Sequence, residues 1–429
     1  MAGIKLELPE HTSLSGEINL EYSKSESNRV LMIRHLSSKT FEIKNLSGSE
    51  DTLLLNQILE SDATNADRQT EMIYNVNHAG TAMRFLCAYF ANENGKYVLT
   101  GSDRMQQRPI HPLVNALRKL GAEITYAKRE GFPPLQITGK NLEGGLVEID
   151  ADVSSQYITA LMLVAPALPQ GLKIVLKGKP VSTSYTLMTA RIMEKFGIHV
   201  KINQNEIAIP HGSYRLNKAS NYLIEADWSA ASYFYALASL NPGTEFFLNG
   251  LFKNSVQPDA IVVKLFERFG VRTEFVDAGV KINSVSQASL EFFEFDFTLC
   301  PDLTQTMAVL CAAKKIPSKF TGVSTLRIKE TDRVQALKNE LHQFNIELEI
   351  VDEHSFLIHP ENANFDLQNI SIKTYGDHRM AMSFTILCSV CKHIEIEDQE
   401  VVNKSFPDFW NQLSKCGINS IRSKFISTG

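Results

Sequence analysis

The residues best able to do chemistry are cations set in or beside turns that lead into apolar segments. They are Lys24 and Arg29, then Arg84, Arg104 and Arg108, then Arg327, Lys329 and Arg333, and finally Arg379 and Lys404. Arginine presents a planar fork that fits carboxylate and phosphate, whereas lysine acts as a point charge. Uncompensated cations gathered in one place repel each other, so the group predicts an anionic ligand carrying several charges. The densest patch is Arg327-Ile328-Lys329-Glu330-Thr331-Asp332-Arg333, in which Glu330 lies among cations that would control its proton affinity. Asp302, directly after Pro301, is a second acid placed to act as a base in a cation-lined site. Ser154-Ser155-Gln156 supplies hydroxyls and an amide beyond what capping one helix requires, and these suit phosphate oxygens. Asp377 precedes His378 and Arg379, and His378 reads as a structural group.

The elements that must position these groups repeat along the chain. Polar turns run into nearly all-apolar helical segments at Ser23-Lys24-Ser25, Gly80-Thr81, Ser154-Ser155-Gln156, Asp227-Trp228-Ser229, Pro301-Asp302 and Asp377-His378-Arg379. From the second to the sixth the starts lie about 75 residues apart, the mark of an internal repeat. A helix that is apolar on every side is buried on every side. Its N-terminus still carries free N–H groups and partial positive charge, so six converging ends would form an anion site.

A second series supports the repeat. Amphipathic helices end at Lys119-Leu120-Gly121-Ala122, Lys195-Phe196-Gly197-Ile198, Arg268-Phe269-Gly270-Val271, Gln343-Phe344-Asn345-Ile346 and Lys415-Cys416-Gly417-Ile418. Gly or Asn there is the left-handed residue that closes a helix, and a β-type stretch follows each. The first unit, around Asp51 to Asn65, lacks the Gly. The helix after Arg333 carries the stripe Val334, Leu337, Leu341 and Phe344. The fold class expected is α/β, in two domains of three repeats. Residues 22–225 make the N-terminal domain, and 1–21 with 226–429 make a discontinuous C-terminal one.

Composition sets the outer bounds. At 429 residues the chain exceeds one ordinary core. Hydrophobic content of 44% and charged content of 21% describe a soluble globular protein. A net charge of −5 gives no reason to expect nucleic acid. No signal-peptide pattern opens the sequence and no apolar run reaches the length of a membrane span, so a cytoplasmic protein with no membrane partner is expected. Cys388-Ser389-Val390-Cys391 has no second close Cys/His pair and reads as two small apolar residues a helical turn apart. Walker A, G-x-G-x-x-G and H-E-x-x-H patterns do not occur, which argues against P-loop, Rossmann and zincin chemistry.

Taken together, the motifs resemble the enolpyruvyltransferase family, and within it the 5-enolpyruvylshikimate-3-phosphate synthases. The resemblance rests on Ser23-Lys24-Ser25-Glu26-Ser27-Asn28-Arg29, Ala79-Gly80-Thr81-Ala82-Met83-Arg84, Arg104-Met105-Gln106-Gln107-Arg108-Pro109-Ile110 and Ser154-Ser155-Gln156. It continues through Lys329-Glu330-Thr331-Asp332-Arg333, Asp377-His378-Arg379-Met380-Ala381-Met382 and Lys404-Ser405-Phe406-Pro407-Asp408. It implies two domains of three βαβαββ units around a cleft that closes on substrate. It implies transfer of the enolpyruvyl group of phosphoenolpyruvate to the 5-hydroxyl of shikimate 3-phosphate, in a monomer that needs no metal or organic cofactor.

By motif match the resemblance implies that Lys24, Ser25 and Arg29 contact substrate, with Lys24 reaching both ligands. Ser154, Ser155, Ser182 and Lys329 would hold the phosphate and hydroxyls of shikimate 3-phosphate, with Tyr185 beside it and Gln156 between the ligands. Gly80, Arg104, Arg333, Arg379 and Lys404 would hold phosphoenolpyruvate, the position where glyphosate would compete. Asp302 would act at the reacting hydroxyl and Glu330 at the methylene carbon, with Lys24 as a third catalytic group.

Several positions depart from the family pattern. Glu21-Tyr22 stands where Pro-Gly is common, His78 where Asn is common, Phe85 where Pro or Leu is usual, and Thr325 where Asn often contacts shikimate. Two other readings stay open at this point. One is UDP-N-acetylglucosamine enolpyruvyl transfer, which shares architecture and donor but usually carries a reactive Cys that the stretch from Arg104 to Pro109 lacks. The other is a non-catalytic phosphosugar-binding relative, against which stand both Asp302 and Glu330.

Overall fold

The computed structural model describes residues 2–9, 13–37, 41–65, 67–150, 154–178, 183–216, 220–285, 290–368 and 370–424. Six helices begin at or within a few residues of the polar turns: Lys24–Leu36, Gly80–Asn92, Ser155–Val164, Trp228–Leu240, Thr304–Ala313 and His378–Thr385. The first carries Lys24, Arg34 and His35 partly exposed at its two ends, whereas the last two are buried along their whole length. Asp227 and Asp377 cap their helices by accepting backbone N–H groups of the first turn. At the fifth start the turn itself has a defined form. Proline fixes Pro301–Leu303 as a 3-10 turn, and the α-helix opens only at Thr304.

The surface helices end as their sequences require. Gly121, Gly197, Gly270, Asn345 and Gly417 all have positive φ, from 57° at Asn345 to 102° at Gly417. At Gly121 the chain closes with Gly121 N donating to Arg118 O and Ala122 N to Leu117 O, the double bond of a helix stop. The helix Glu50–Thr64, which lacks the Gly, instead runs into an extended Asn65.

Each repeat builds one small sheet. In the sheet of Met72–Asn75, Gly95–Thr100, Leu135–Gly139 and Glu123–Tyr126, the first two strands are parallel and the others add in antiparallel fashion. The same order recurs in five four-stranded sheets. The exception is the pair Asn221–Leu223 with Glu42–Lys44, which is parallel and has no hairpin added. The start of the chain completes two sheets: Ala2–Glu7 lies between Ile394–Ile396 and Asn419–Lys424, and Ser15–Ile18 runs parallel to Glu245–Asn249.

The chain divides into two compact units, Met1–Ser23 with Glu225–Gly429, and Lys24–Ile224. In the discontinuous unit, three buried helices are joined at their centre by hydroxyls. Ser232 Oγ lies 3.1 Å from Thr306 Oγ1, which lies 3.3 Å from Ser383 Oγ. Around them packs a core that includes Trp228, Phe234, Phe297, Phe320 and Phe409. In the Lys24–Ile224 unit Thr159 Oγ1, on the buried helix Ser155–Val164, lies 3.2 Å from Thr189 Oγ1 on the helix Thr183–Lys195. At both chain crossings the backbone is tied within the discontinuous unit: Ser23 N donates to Glu225 O and Asp227 N to Glu21 O, each at 2.8 Å. Tyr22 forms an antiparallel bridge with Ala226, so Glu21-Tyr22 is extended chain where a Pro-Gly was the family pattern.

Candidate functional site

On the discontinuous unit the helix mouths gather an ion-pair network. Arg333, 1% exposed, starts the helix Arg333–His342 that Asp332 caps. Its Nε donates to Asp377 Oδ2 at 2.7 Å, its Nη1 to Asp302 Oδ1 at 3.1 Å and its Nη2 to Glu330 Oε2 at 2.9 Å. Burial works against the charged guanidinium, but Asp377, Glu330 and Asp302 outweigh it and raise its proton affinity. Arg379 Nη2 donates to Asp302 Oδ2 at 2.9 Å, so Asp302 is held by two arginines. Asp377 also accepts from Arg379 N at 2.9 Å.

Further carboxylates stand at the same helix mouths. Asp227 Oδ1 accepts from Ser229 N at 2.7 Å. Burial pushes its carboxyl up, opposed by Arg379 and by the cap N–H groups. Asp259, 2% exposed, accepts from the Ser229 hydroxyl, and burial pushes it up to about 7 with Asp302 adding to the shift. Lys404 Nζ donates to Gly376 O at 2.7 Å, and Lys329 is half-buried at the end of the turn Ser324–Ile328. Thr325 is buried, and among the described residues its Oγ1 has no hydrogen-bond partner.

The Lys24–Ile224 unit carries the other predicted residues. Lys24 Nζ lies 3.1 Å from Asp51 Oδ2, with both side chains mostly buried. Arg29 is 4% exposed; its Nε donates to Thr189 Oγ1 at 2.8 Å and its Nη1 to Ser25 O at 2.7 Å. Desolvation lowers it to about 10, against the pull of Tyr185 and Glu26. Its guanidinium lies 5.8 Å from the Phe85 ring and 5.9 Å from the Tyr185 ring, so Phe85 packs against the cation. Ser154 Oγ caps its helix by accepting from Gln156 N, and Gln156 Nε2 reaches Thr81 Oγ1 at 3.4 Å. Arg104 is exposed in the short helix Asp103–Gln106, whose capping Ser102 hydroxyl lies 2.8 Å from His78 Nδ1. Ser182 lies outside the described residues.

Two cations of this unit are used structurally. Arg84 Nη1 donates to Gly80 O at 3.2 Å and its Nη2 to Pro109 O at 3.0 Å, so it ties the Gly80 turn to the segment after Arg108. Gly80 lies against Arg108: a Cβ there would meet Arg108 Nη1 at 2.6 Å.

The expectation of uncompensated cations is corrected by this geometry. Arg333 is surrounded by carboxylates, Arg379 is paired with Asp302, and Lys24 with Asp51. An anionic ligand at the discontinuous unit would therefore exchange partners with Asp302 and Glu330 rather than fill a bare cation pocket. Sequence reasoning passed over Asp377, Asp51 and Asp259 as members of these clusters. The available signal for Asp377 and Asp51 was an acid at the first turn of a predicted helix; for Asp259 it was an acid just after Pro258. The six cysteines are buried and unpaired, and among the described residues no cluster suited to a metal ion occurs. No helix among them is long and apolar enough to cross a membrane.

Comparison with known proteins gives a consistent family. A family model described as EPSP synthase (3-phosphoshikimate 1-carboxyvinyltransferase) matches residues 9–413. A 3-phosphoshikimate 1-carboxyvinyltransferase of Bacteroides fragilis (strain YCH46) is 40% identical over 409 residues, 95% of this chain and 96% of the relative. One from Sulfurovum sp. (strain NBC37-1) is 36% identical over 418 residues, 93% and 96% of the two chains. The solved structure of EPSP synthase from Acinetobacter baumannii shares the fold with a TM-score of 0.78 at 22% identity, covering 98% of this chain and 100% of that one.

Proposed function

The chain belongs to the EPSP synthase family, and from that premise we propose how its residues divide the work. The activity is 3-phosphoshikimate 1-carboxyvinyl transfer, a step of the shikimate pathway to the aromatic amino acids. The enolpyruvyl group of phosphoenolpyruvate passes to the 5-hydroxyl of shikimate 3-phosphate, and phosphate leaves. The UDP-N-acetylglucosamine reading is set aside, because the family model and the relatives share one activity that is not that one.

In the proposed assignment, Lys24, Ser25, Arg29, Ser154, Ser155, Gln156, Ser182, Tyr185, Asp302 and Lys329 serve shikimate 3-phosphate. Lys24, Gly80, Arg104, Gln156, Arg333, Arg379 and Lys404 serve phosphoenolpyruvate. Cations and helix N-termini offset the repulsion between two anionic substrates and fix their orientation. Arg29, tied to Thr189 and Ser25, acts from a buried position and orders Tyr185 and Ser25 as much as it offers charge.

The observation that carries the acid–base assignment is the sharing of Arg333 by Asp302 and Glu330. An incoming phosphate or carboxylate that takes up Arg333 and Arg379 loosens both carboxylates from their cations. A carboxylate that loses an opposite charge gains proton affinity. Glu330, which takes up a proton from solvent as it leaves Arg333, then delivers that proton to the methylene carbon, and positive character builds on the adjacent carbon. The shikimate hydroxyl oxygen bonds there while its proton passes to Asp302, giving a tetrahedral intermediate. In the second half the carbon–oxygen bond to phosphate breaks, Asp302 returns its proton to the leaving group, and Glu330 takes one back from the methyl. The double bond is restored and both acids return to their starting states.

The protein works as a cytoplasmic monomer in this reading, which light scattering at working concentration checks. The assignment itself is tested by phosphate release in single variants of Lys24, Arg379 and Lys404. Raised substrate requirements in folded variants support it, and unchanged kinetics in all three refute it.

A further inference from the structure

Two guanidinium groups of the discontinuous unit, Arg333 and Arg379, face more acids than they can balance. Asp302 and Glu330 each bond a guanidinium, and Asp377 bonds Arg333 through both oxygens. Asp227 bonds no guanidinium but accepts two backbone N–H groups at the mouth of Trp228–Leu240. Asp259 has less than any of them. It sits in the turn Pro258–Ile261, 2% exposed, and its Oδ2 accepts from the Ser229 hydroxyl. Its Oδ1 has no hydrogen-bond partner among the described residues.

Like charges in one low-dielectric place cannot all ionise, and the proton goes to the member with the fewest donors. By that count it goes to Asp259. The charged and titratable groups acting on it are Asp302, Asp227 and Arg379, with the buried Cys300 thiol also in its field. Their balance, together with burial, places its titration near neutral pH, at about 7.

We propose that Asp259 is a positioning residue of the anion site: it holds a proton beside the Asp302–Arg379 pair, and loss of that proton weakens phosphoenolpyruvate binding. While Asp259 is neutral, it adds no negative charge to those that Asp302 and Asp227 already set against Arg379, which can then be shared with an incoming anion. Once Asp259 ionises, a further negative charge acts on Arg379 and repels the ligand. Asp259 does not touch substrate in this account; it acts through the charge it adds or withholds. The inference rests on the assignment of Arg379 to phosphoenolpyruvate.

The test is the KM for phosphoenolpyruvate in the parent and in Asp259→Asn, from pH 6 to pH 8.5 at saturating shikimate 3-phosphate. Taking the ratio of parent to variant removes the ligand's own ionisation. The ratio is expected near one at pH 6 and to rise above pH 7, by about tenfold per pH unit at most for a single proton. The kcat ratio is expected to stay flat, which a merely structural role would not predict. A KM ratio independent of pH overturns the proposal. Should Asp259→Asn fail to fold, Ser229→Ala removes the hydroxyl donor and should move the parent's break to higher pH; an unmoved break overturns it equally. Arg379→Ala at pH 6 separates the two levels. An unchanged KM there overturns both the site assignment and the role of Asp259, whereas a raised KM with a flat Asp259 ratio overturns only the latter.

Discussion

Gly80 and Arg108 are in such close contact that a methyl group on Gly80 would come within 2.6 Å of Arg108 Nη1. Arg108 is itself buried, so the only groups that can give way are the ends of its own side chain. Gly80→Ala is therefore expected to displace the Arg108 guanidinium rather than to strain the backbone. If glyphosate reaches further toward Gly80 than phosphoenolpyruvate does, the substitution raises the inhibition constant for glyphosate more than the KM for phosphoenolpyruvate. A double-mutant comparison checks the cause: in an Arg108→Ala background, Gly80→Ala should add little. Equal and additive effects in both backgrounds would separate Gly80 from Arg108.

Arg333 and Arg379 should respond differently to truncation. Arg333→Ala leaves Asp377, Asp302 and Glu330 without their shared cation in a buried place, a loss of about 3–5 kcal/mol in stability. Arg379, 10% exposed at its side chain and ion-paired with Asp302, is expected to cost less stability and mainly raise the KM for phosphoenolpyruvate. Denaturant unfolding together with steady-state kinetics tests the split, and equal stability losses in both variants would count against it.

The helices that position the site were legible in the sequence because each is an all-apolar run behind a polar cap, a pattern decided within a few residues. The helix stops at Gly121, Gly197, Gly270, Asn345 and Gly417 were legible for the same reason, since the left-handed residue is chosen by local sterics. The state of the charges was not. Arg333 finds Asp302 and Asp377 across 31 and 44 residues of chain, and Asp259 meets Ser229 across 30. Spacing along the chain carries no record of such pairings, so the cations looked uncompensated. The Pro301-Asp302 turn was legible as a turn running into a buried helix; its 3-10 form, set by the proline, was not.

Stability should also depend on pH through Asp259. Its folded value of about 7 lies above the ordinary 3.8, so between those values the native state holds a proton that the unfolded state has lost. Stability therefore falls as pH rises through that window and levels off above it, by an upper figure of about 4 kcal/mol from this group. Asp227 and Glu225, also pushed up chiefly by burial, add slopes of the same sign. The difference in thermal midpoint, Asp259→Asn minus parent, is expected to grow from pH 5 to pH 8. A constant difference would mean that Asp259 is ionised throughout.

The claim at the centre of this account is that Asp302 and Glu330, held by Arg333 in the free enzyme, carry the protons of the reaction. The most direct measurement pairs ligand binding with turnover in Asp302→Asn and Glu330→Gln. Calorimetry should show shikimate 3-phosphate still bound by both variants. Phosphate release at saturating substrates should fall by roughly 10²–10⁴-fold, the usual contribution of a positioned acid or base. Near-normal turnover in either variant, with binding intact, would contradict the role given to that residue.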